Sequence, residues 1–152
     1  MPNSPNGSWG RIRERFINLY PPLLGAGIHS KILDEHTILV EMNLTPLNRN
    51  IVGTHFGGSL YAMCDPWFML ILMRALGPDY IVWDKAATIQ FLMPGRGNVN
   101  ATFHVPQERI DEICKEAVGG QKIEPIFEVD VLDAQNRAVA HIQKILYIRK
   151  KK

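Results

Sequence analysis

In the stretch HFGGSLYAMCDPWFMLILMRALG, His55 to Gly77, an Asp-Pro pair, Asp65 and Pro66, stands between two apolar blocks. A carboxylate is costly among apolar neighbours, and a proline inside a helix removes a backbone donor. One reading is structural: Asp is a favoured helix cap and Pro a favoured first helical residue, so the pair can start a helix. The other is chemical, because a carboxylate in such a setting suits a general base toward water or a nucleophile. Gly57 and Gly58, two turns earlier, supply what the second reading needs. They open a helix whose first N–H groups lack intrahelical acceptors, and the helix dipole adds partial positive charge where an oxyanion would form. Asn50 is placed to orient a water or a carbonyl. The two readings of Asp65 are compatible if Pro66 kinks a helix at the site.

The elements that must position these groups follow from periodicity. Residues 1–8 read as a loose leader, and residues 9–20 as an amphipathic helix capped by Ser8, with Trp9, Ile12, Phe16 and Leu19 on one face and Pro21 and Pro22 ending it. IHSKILD and HTILVEMNL alternate as an antiparallel pair, and a polar loop runs from Thr45 to Gly57. From Gly58 to Leu76 apolar residues occupy nearly every side and Gly77 closes the run, which predicts one helix enclosed by other elements. YIVWDKAATIQFLMP and NVNATFHVP read as strands and QERIDEICKEAV as a short helix. KIEPIFEVDVLD and RAVAHIQKILYIRK read as two last strands joined by a tight turn. The order is helix, two strands, buried helix, then four strands with a small helix inserted, and the sheet must curl around the apolar helix.

Bulk properties narrow the function. A chain of 152 residues that is 46% hydrophobic and 21% charged is expected to form a single domain over residues 1–152, with a core of its own. A formal charge of +2 is too small to imply a nucleic-acid partner. The longest unbroken apolar block, Pro66 to Met73, is far short of the ~20 residues that cross a bilayer, so no membrane span is expected. The amino terminus lacks the charged start and apolar run of a secretory signal, and Cys64 and Cys114 lack CxxC spacing; cytoplasm and free thiols are the expectation. His29, His36, His104 and His141 are scattered without a ligand spacing, so no metal is expected. Met63, Met69, Met73 and Met93 read as core filler that would also suit a flexible apolar tunnel.

The element order resembles the hotdog fold, an α+β architecture in which an antiparallel six-stranded sheet wraps a long central helix. NIVGTHFGGSLYAMCD is similar to the Asn-x-x-Gly-x-x-His-Gly-Gly signature and following helix Asp of phenylacetyl-CoA-type acyl-CoA thioesterases, with Asn50, Gly53, Gly57, Gly58 and Asp65 at matching spacing. ATIQFLMPGRG is similar to the strand after the helix in those enzymes. Phe56 occupies the place of the family's histidine, and His55 comes one residue early. With Pro66 and the VWDK segment, this brings the chain closer to a less characterised hotdog subgroup.

The resemblance implies hydrolysis of an acyl-CoA or acyl-carrier thioester without a cofactor, at sites shared between subunits of a homodimer or a dimer of dimers. It implies catalytic roles for Asp65, Gly57 and Asn50, and substrate contacts for His55, Phe56 and Gly58. Asp84 falls near a polar residue that positions the attacking water in related enzymes, Lys85 beside it is a partner for a carboxylate, and Arg96 in PGRGN is a contact for a CoA phosphate. Two other readings stay open on the same fold. One is a non-catalytic acyl-thioester binding module. The other is an enoyl-thioester hydratase or dehydratase, which would need a His and Asp pair with His55 as the nearby histidine.

Overall fold

A computed structural model describes residues 16–152. The amphipathic helix expected over residues 9–20 falls mostly outside these residues; its end is seen as helix at residues 16–18. Pro21 and Pro22 stop that helix and also begin another, α1 (Pro21–Gly25), since proline is preorganised for a first turn. The hairpin β1 (Ile28–Ile32) and β2 (Thr37–Met42) follows, then α2 (Gly57–Ala62) and α3 (Trp67–Leu76). The long strand β3 (Tyr80–Phe91), β4 (Val99–His104) and helix α4 (Gln107–Glu116) come next, then β5 (Lys122–Ile123), β6 (Ile126–Asp133) and β7 (Ala138–Lys150).

The strands form one antiparallel sheet in the order β1-β2-β4-β6-β7-β3, with β5 also paired to β7, giving seven strands where the sequence suggests six. The extra strand arises because Glu124 and Pro125 interrupt the expected strand from 122 to 133. Pro125 has no N–H to donate, while its carbonyl still accepts from the Leu146 N–H at 3.1 Å. β3 ends the order and is paired along one edge only.

The core is built from the helices and the inward rows of the strands. Helix α3 buries Trp67, Phe68, Ile71 and Leu72 against it. Phe68 meets Phe103 of β4 edge-on at 5.1 Å and stacks on Phe127 of β6 at 5.0 Å. Helix α4 adds Ile110 and Ile113. Gly77 ends α3 with φ 78°, and the Arg74 guanidinium donates to the Asp34 and Glu35 carbonyls at the β1–β2 turn.

The predicted single helix from 58 to 76 is two helices, because the Pro66 ring cannot follow Ala62 in an unbroken ladder. Nor is α3 enclosed all round: Met69 and Leu70 are half-buried, and Met73 is 48% exposed. Taken together, Gly57–Leu76 has the length and mean hydropathy, 20 residues at 1.2, of a membrane-crossing run. Its interior face packs on the sheet instead, and the break at residues 63–66 divides it.

Candidate functional site

The break between α2 and α3 frees backbone carbonyls that a continuous helix would satisfy, and side chains take them up. The Trp67 indole Nε1–H donates to the Met63 carbonyl at 2.6 Å. The Lys144 ammonium donates to the Asp65 carbonyl at 2.8 Å and to Asp65 Oδ1 at 3.2 Å. The Tyr61 hydroxyl, one turn back on α2, also donates to Asp65 Oδ1, at 3.0 Å. A helix does start at the Asp-Pro pair, but its cap position is Pro66 and no side chain caps it; the Asp65 carboxylate is directed to Lys144 and Tyr61. That carboxylate is half exposed, at 51%.

Lys144 reaches this point from β7, where alternate residues Ile142, Lys144, Leu146 and Ile148 face the core. Its side chain is fully buried. A second carboxylate, Asp84 of β3, lies 3.2 Å from the same ammonium through Oδ2, while Asp84 Oδ1 is buried without a protein partner. Burial raises the Asp84 pKa, and the Lys144 charge opposes that rise. Burial works to lower the Lys144 pKa, but the charges of Asp84 and Asp65 outweigh it, so the ammonium is held above its ordinary range. Burial also raises the Tyr61 phenol and pushes the Cys64 thiol up to about 12, which leaves Cys64 a packed hydrophobe.

Asp84 and Lys85, adjacent in sequence, part company in space. A bulge shifts the β3–β7 register between Asp84, opposite Leu146, and Ala86, opposite Ile145. Val82 and Asp84 before it share the inward row with Ala87 and Ile89 after it. Lys85 turns to the outer face, where it pairs with Glu124 at 2.7 Å. Trp83, also on that face, stacks on Tyr147 at 4.8 Å.

A separate pocket of about 380 Å³ opens beside Gly57, lined by Asn50, His55, Leu60, Phe91 and Pro94 among others. Asn50 is fully engaged in shaping its loop. Its Nδ2 donates to Thr54 Oγ1 and the His55 carbonyl, and its Oδ1 accepts from the N–H groups of Val52 and Thr54, with Gly53 at φ 85° completing the turn. His55 is buried. Its Nε2–H donates to the Gly97 carbonyl at 2.6 Å and its main-chain N–H to the Gly95 carbonyl at 3.0 Å, leaving Nδ1 as an unpartnered acceptor. Burial lowers the His55 pKa against the pull of the Gly97 carbonyl, so the imidazole is a neutral pin between two loops. His55 forms no pair with Asp65.

The exposed Phe56 ring lies over Gly58, where an added Cβ would run into it, and a Cβ on Gly57 would come within 3.0 Å of the Phe91 ring. Arg96 is exposed on its loop. Gly57 lines the pocket beside Asn50 and His55, whereas Asp65 lines the groove along α3.

The structure thus gathers Asp65 with Asp84 and places Asn50, His55, Phe56, Gly57 and Gly58 in a second cluster, with Lys85 and Arg96 outside both. The residue that sequence reasoning missed is Lys144. Its signal is the period-two row of β7, in which it is the single charged inward residue between apolar neighbours.

Beside the first cluster an open groove of about 1350 Å³ follows α3, with Asp65 and Tyr61 at its border and Ile38, Trp67, Met69, Leu70 and Met73 among its lining. Apolar side chains of this kind accept a flexible hydrocarbon.

Comparison with known proteins agrees with this architecture. A protein of unknown function and probable thioesterase from Pseudomonas aeruginosa superposes with a TM-score of 0.81 at 20% identity, over 93% of this chain and 95% of that one. The thioesterase HI1161 of Haemophilus influenzae gives 0.67 at 14% identity over 89% and 87%. The PaaI protein of the phenylacetic acid degradation operon of E. coli gives 0.64 at 20% identity over 95% and 93%. No curated protein matches the chain. A family model described as a domain of unknown function, DUF4442, matches residues 10–148. With its fold that of the hotdog thioesterases, the chain belongs to the DUF4442 family.

Proposed function

We propose that this chain hydrolyses an acyl thioester of coenzyme A or of an acyl carrier, in the cytoplasm, at a site completed by a second copy. The observation that carries this reading is Asp65: a half-exposed carboxylate with Oδ1 held by Tyr61 and Lys144, Oδ2 without a partner among the described residues, and an apolar groove alongside. Oδ2 acts as base toward water or as nucleophile, and the groove takes the acyl chain. The Gly57 N–H of the other copy faces the thioester oxygen as negative charge develops on it. A second copy is favoured by the placement of Gly57 and Asp65 in different pockets of one chain. It is also favoured by β3, a long edge strand with one side unpaired.

The test is thiol release from a panel of acyl-CoA substrates by the wild type and Asp65→Asn. The amide cannot take a proton, so turnover is expected to fall by roughly a hundredfold or more. Unchanged hydrolysis by the variant would end the assignment of Asp65, and a monomer by sedimentation at micromolar concentration would end the shared site.

A further inference from the structure

The proposed reaction uses Lys144 only as one of two donors to Asp65 Oδ1, yet its placement is hard to account for as packing. It is the charged member of an apolar row, with a fully buried side chain. A helix break needs only a donor for a free carbonyl, which a hydroxyl or a water supplies at lower desolvation cost than an ammonium. Lys144 does more than that: its contacts reach the Asp65 main chain, the Asp65 carboxylate and the Asp84 carboxylate, and the Tyr61 ring lies 5.5 Å away. The titratable groups facing it are Tyr61 from α2, Cys64 and Asp65 from the break, and Asp84 from β3.

We propose that Lys144 is the positioning residue of this site: one buried ammonium pins Asp65 by its backbone and one carboxylate oxygen, leaves the other oxygen free to react, and joins Asp65 to Asp84 as a coupled pair. Where activity is the readout, this rests on the thioester-hydrolase reading. Asp84 carries the consequence most directly, since burial favours its neutral form and Lys144 is the cation that opposes this.

The experiment follows the Asp84 carboxyl by carbon NMR across pH in the full chain, its signal assigned by loss in Asp84→Asn. It also measures kcat and KM for thiol release in Lys144→Met and Lys144→Arg. In Lys144→Met the Asp84 midpoint is expected to move up by about one to three pH units, the scale of losing a neighbouring opposite charge. With it, kcat should drop at least about tenfold while KM stays within about threefold, and Lys144→Arg should restore part of kcat. An unmoved midpoint in Lys144→Met, or full kcat in that variant, overturns the proposal. Should Lys144→Met fail to fold, Asp65→Asn gives the same answer with the lysine in place. Removing the Asp65 charge should move the Asp84 midpoint down, and an unmoved midpoint refutes the coupling. Absence of thiol release by the wild type would overturn the hydrolase reading alone, because the titration arm still decides whether Lys144 couples the two carboxylates.

Discussion

Replacing Lys144 by Met should destabilise the protein in a way that depends on pH and on Asp84. At 3.2 Å, two unit charges in an effective dielectric of 20 attract by about 5 kcal/mol, which the desolvation of a fully buried ammonium largely offsets. The intact pair therefore adds little net stability, but its removal strands Asp84, whose side chain is 22% exposed. Leaving a buried charge without its partner costs about 3–5 kcal/mol. Protonation sets a ceiling, since raising a carboxyl from about 3.9 to pH 7 costs about 4 kcal/mol at 1.36 kcal/mol per unit. The Asp65 pair, half in water, adds less than about 1 kcal/mol.

We expect a loss of about 3 kcal/mol at pH 7, or about 6–12 °C in Tm for a chain of this size. The sign with pH follows from the raised Asp84 pKa. The folded state binds that proton more tightly than the unfolded state, so stability falls as pH rises from the unfolded value through the folded one. Without Lys144 the window widens upward, so the deficit relative to wild type should shrink steadily from pH 7 to pH 4. Adding Asp84→Asn to Lys144→Met should recover about 2 kcal/mol at pH 7 by removing the stranded charge. Urea unfolding of the three proteins at four pH values measures this. A deficit independent of pH and indifferent to Asp84→Asn would refute the electrostatic reasoning and reduce Lys144 to a space-filling side chain.

Trp67→Phe keeps the ring but loses the donor to the Met63 carbonyl, so it should cost about 1–3 kcal/mol in urea unfolding for a buried acceptor left unsatisfied; a neutral effect would show that the break satisfies itself. Cys64, buried and with its thiol pushed up to about 12, should resist iodoacetamide in the native protein at pH 8 and react once urea unfolds it. Peptide mapping of the alkylated chain reads this out, and native labelling of Cys64 would mean that the helix break opens.

Much of the fold was legible in the sequence because alternation and apolar runs are local. The β1–β2 hairpin, the β6–β7 hairpin and α4 all come from patterns a few residues long. What escaped was the consequence of prolines inside otherwise regular runs. Pro125 split a strand, and Pro66 split a helix whose composition alone argued for continuity. The glycine pair and Asp65 stood out by residue type, whereas the partner that makes Asp65 tolerable lies 79 residues away on β7. No local pattern around Asp65 points to it. Asp84 and Lys85 were grouped because they are neighbours in sequence, and the alternation of a strand sends them to opposite faces. Asn50 shows the reverse case, since its spacing suggested chemistry and its four hydrogen bonds are spent on its own loop.

The bulge between Asp84 and Ala86 also sets how β3 would respond to a change of length. Removing one residue from a strand normally inverts the facing of everything on one side of the cut. At Lys85 the arithmetic runs the other way, because Asp84 opposite Leu146 and Ala86 opposite Ile145 are already consecutive rungs and Lys85 is the residue between them that has none. A chain lacking Lys85 would close into a regular ladder with Val82, Asp84, Ala87 and Ile89 still facing the core. It would give up the pairing of Lys85 with Glu124, which keeps Lys122 at 2.6 Å. Removing Ala86 instead leaves Lys85 on the same rung with the same facing, whereas shortening at Thr88 has no such refuge, so the tolerance of β3 to deletion is confined to the two bulge positions next to Asp84.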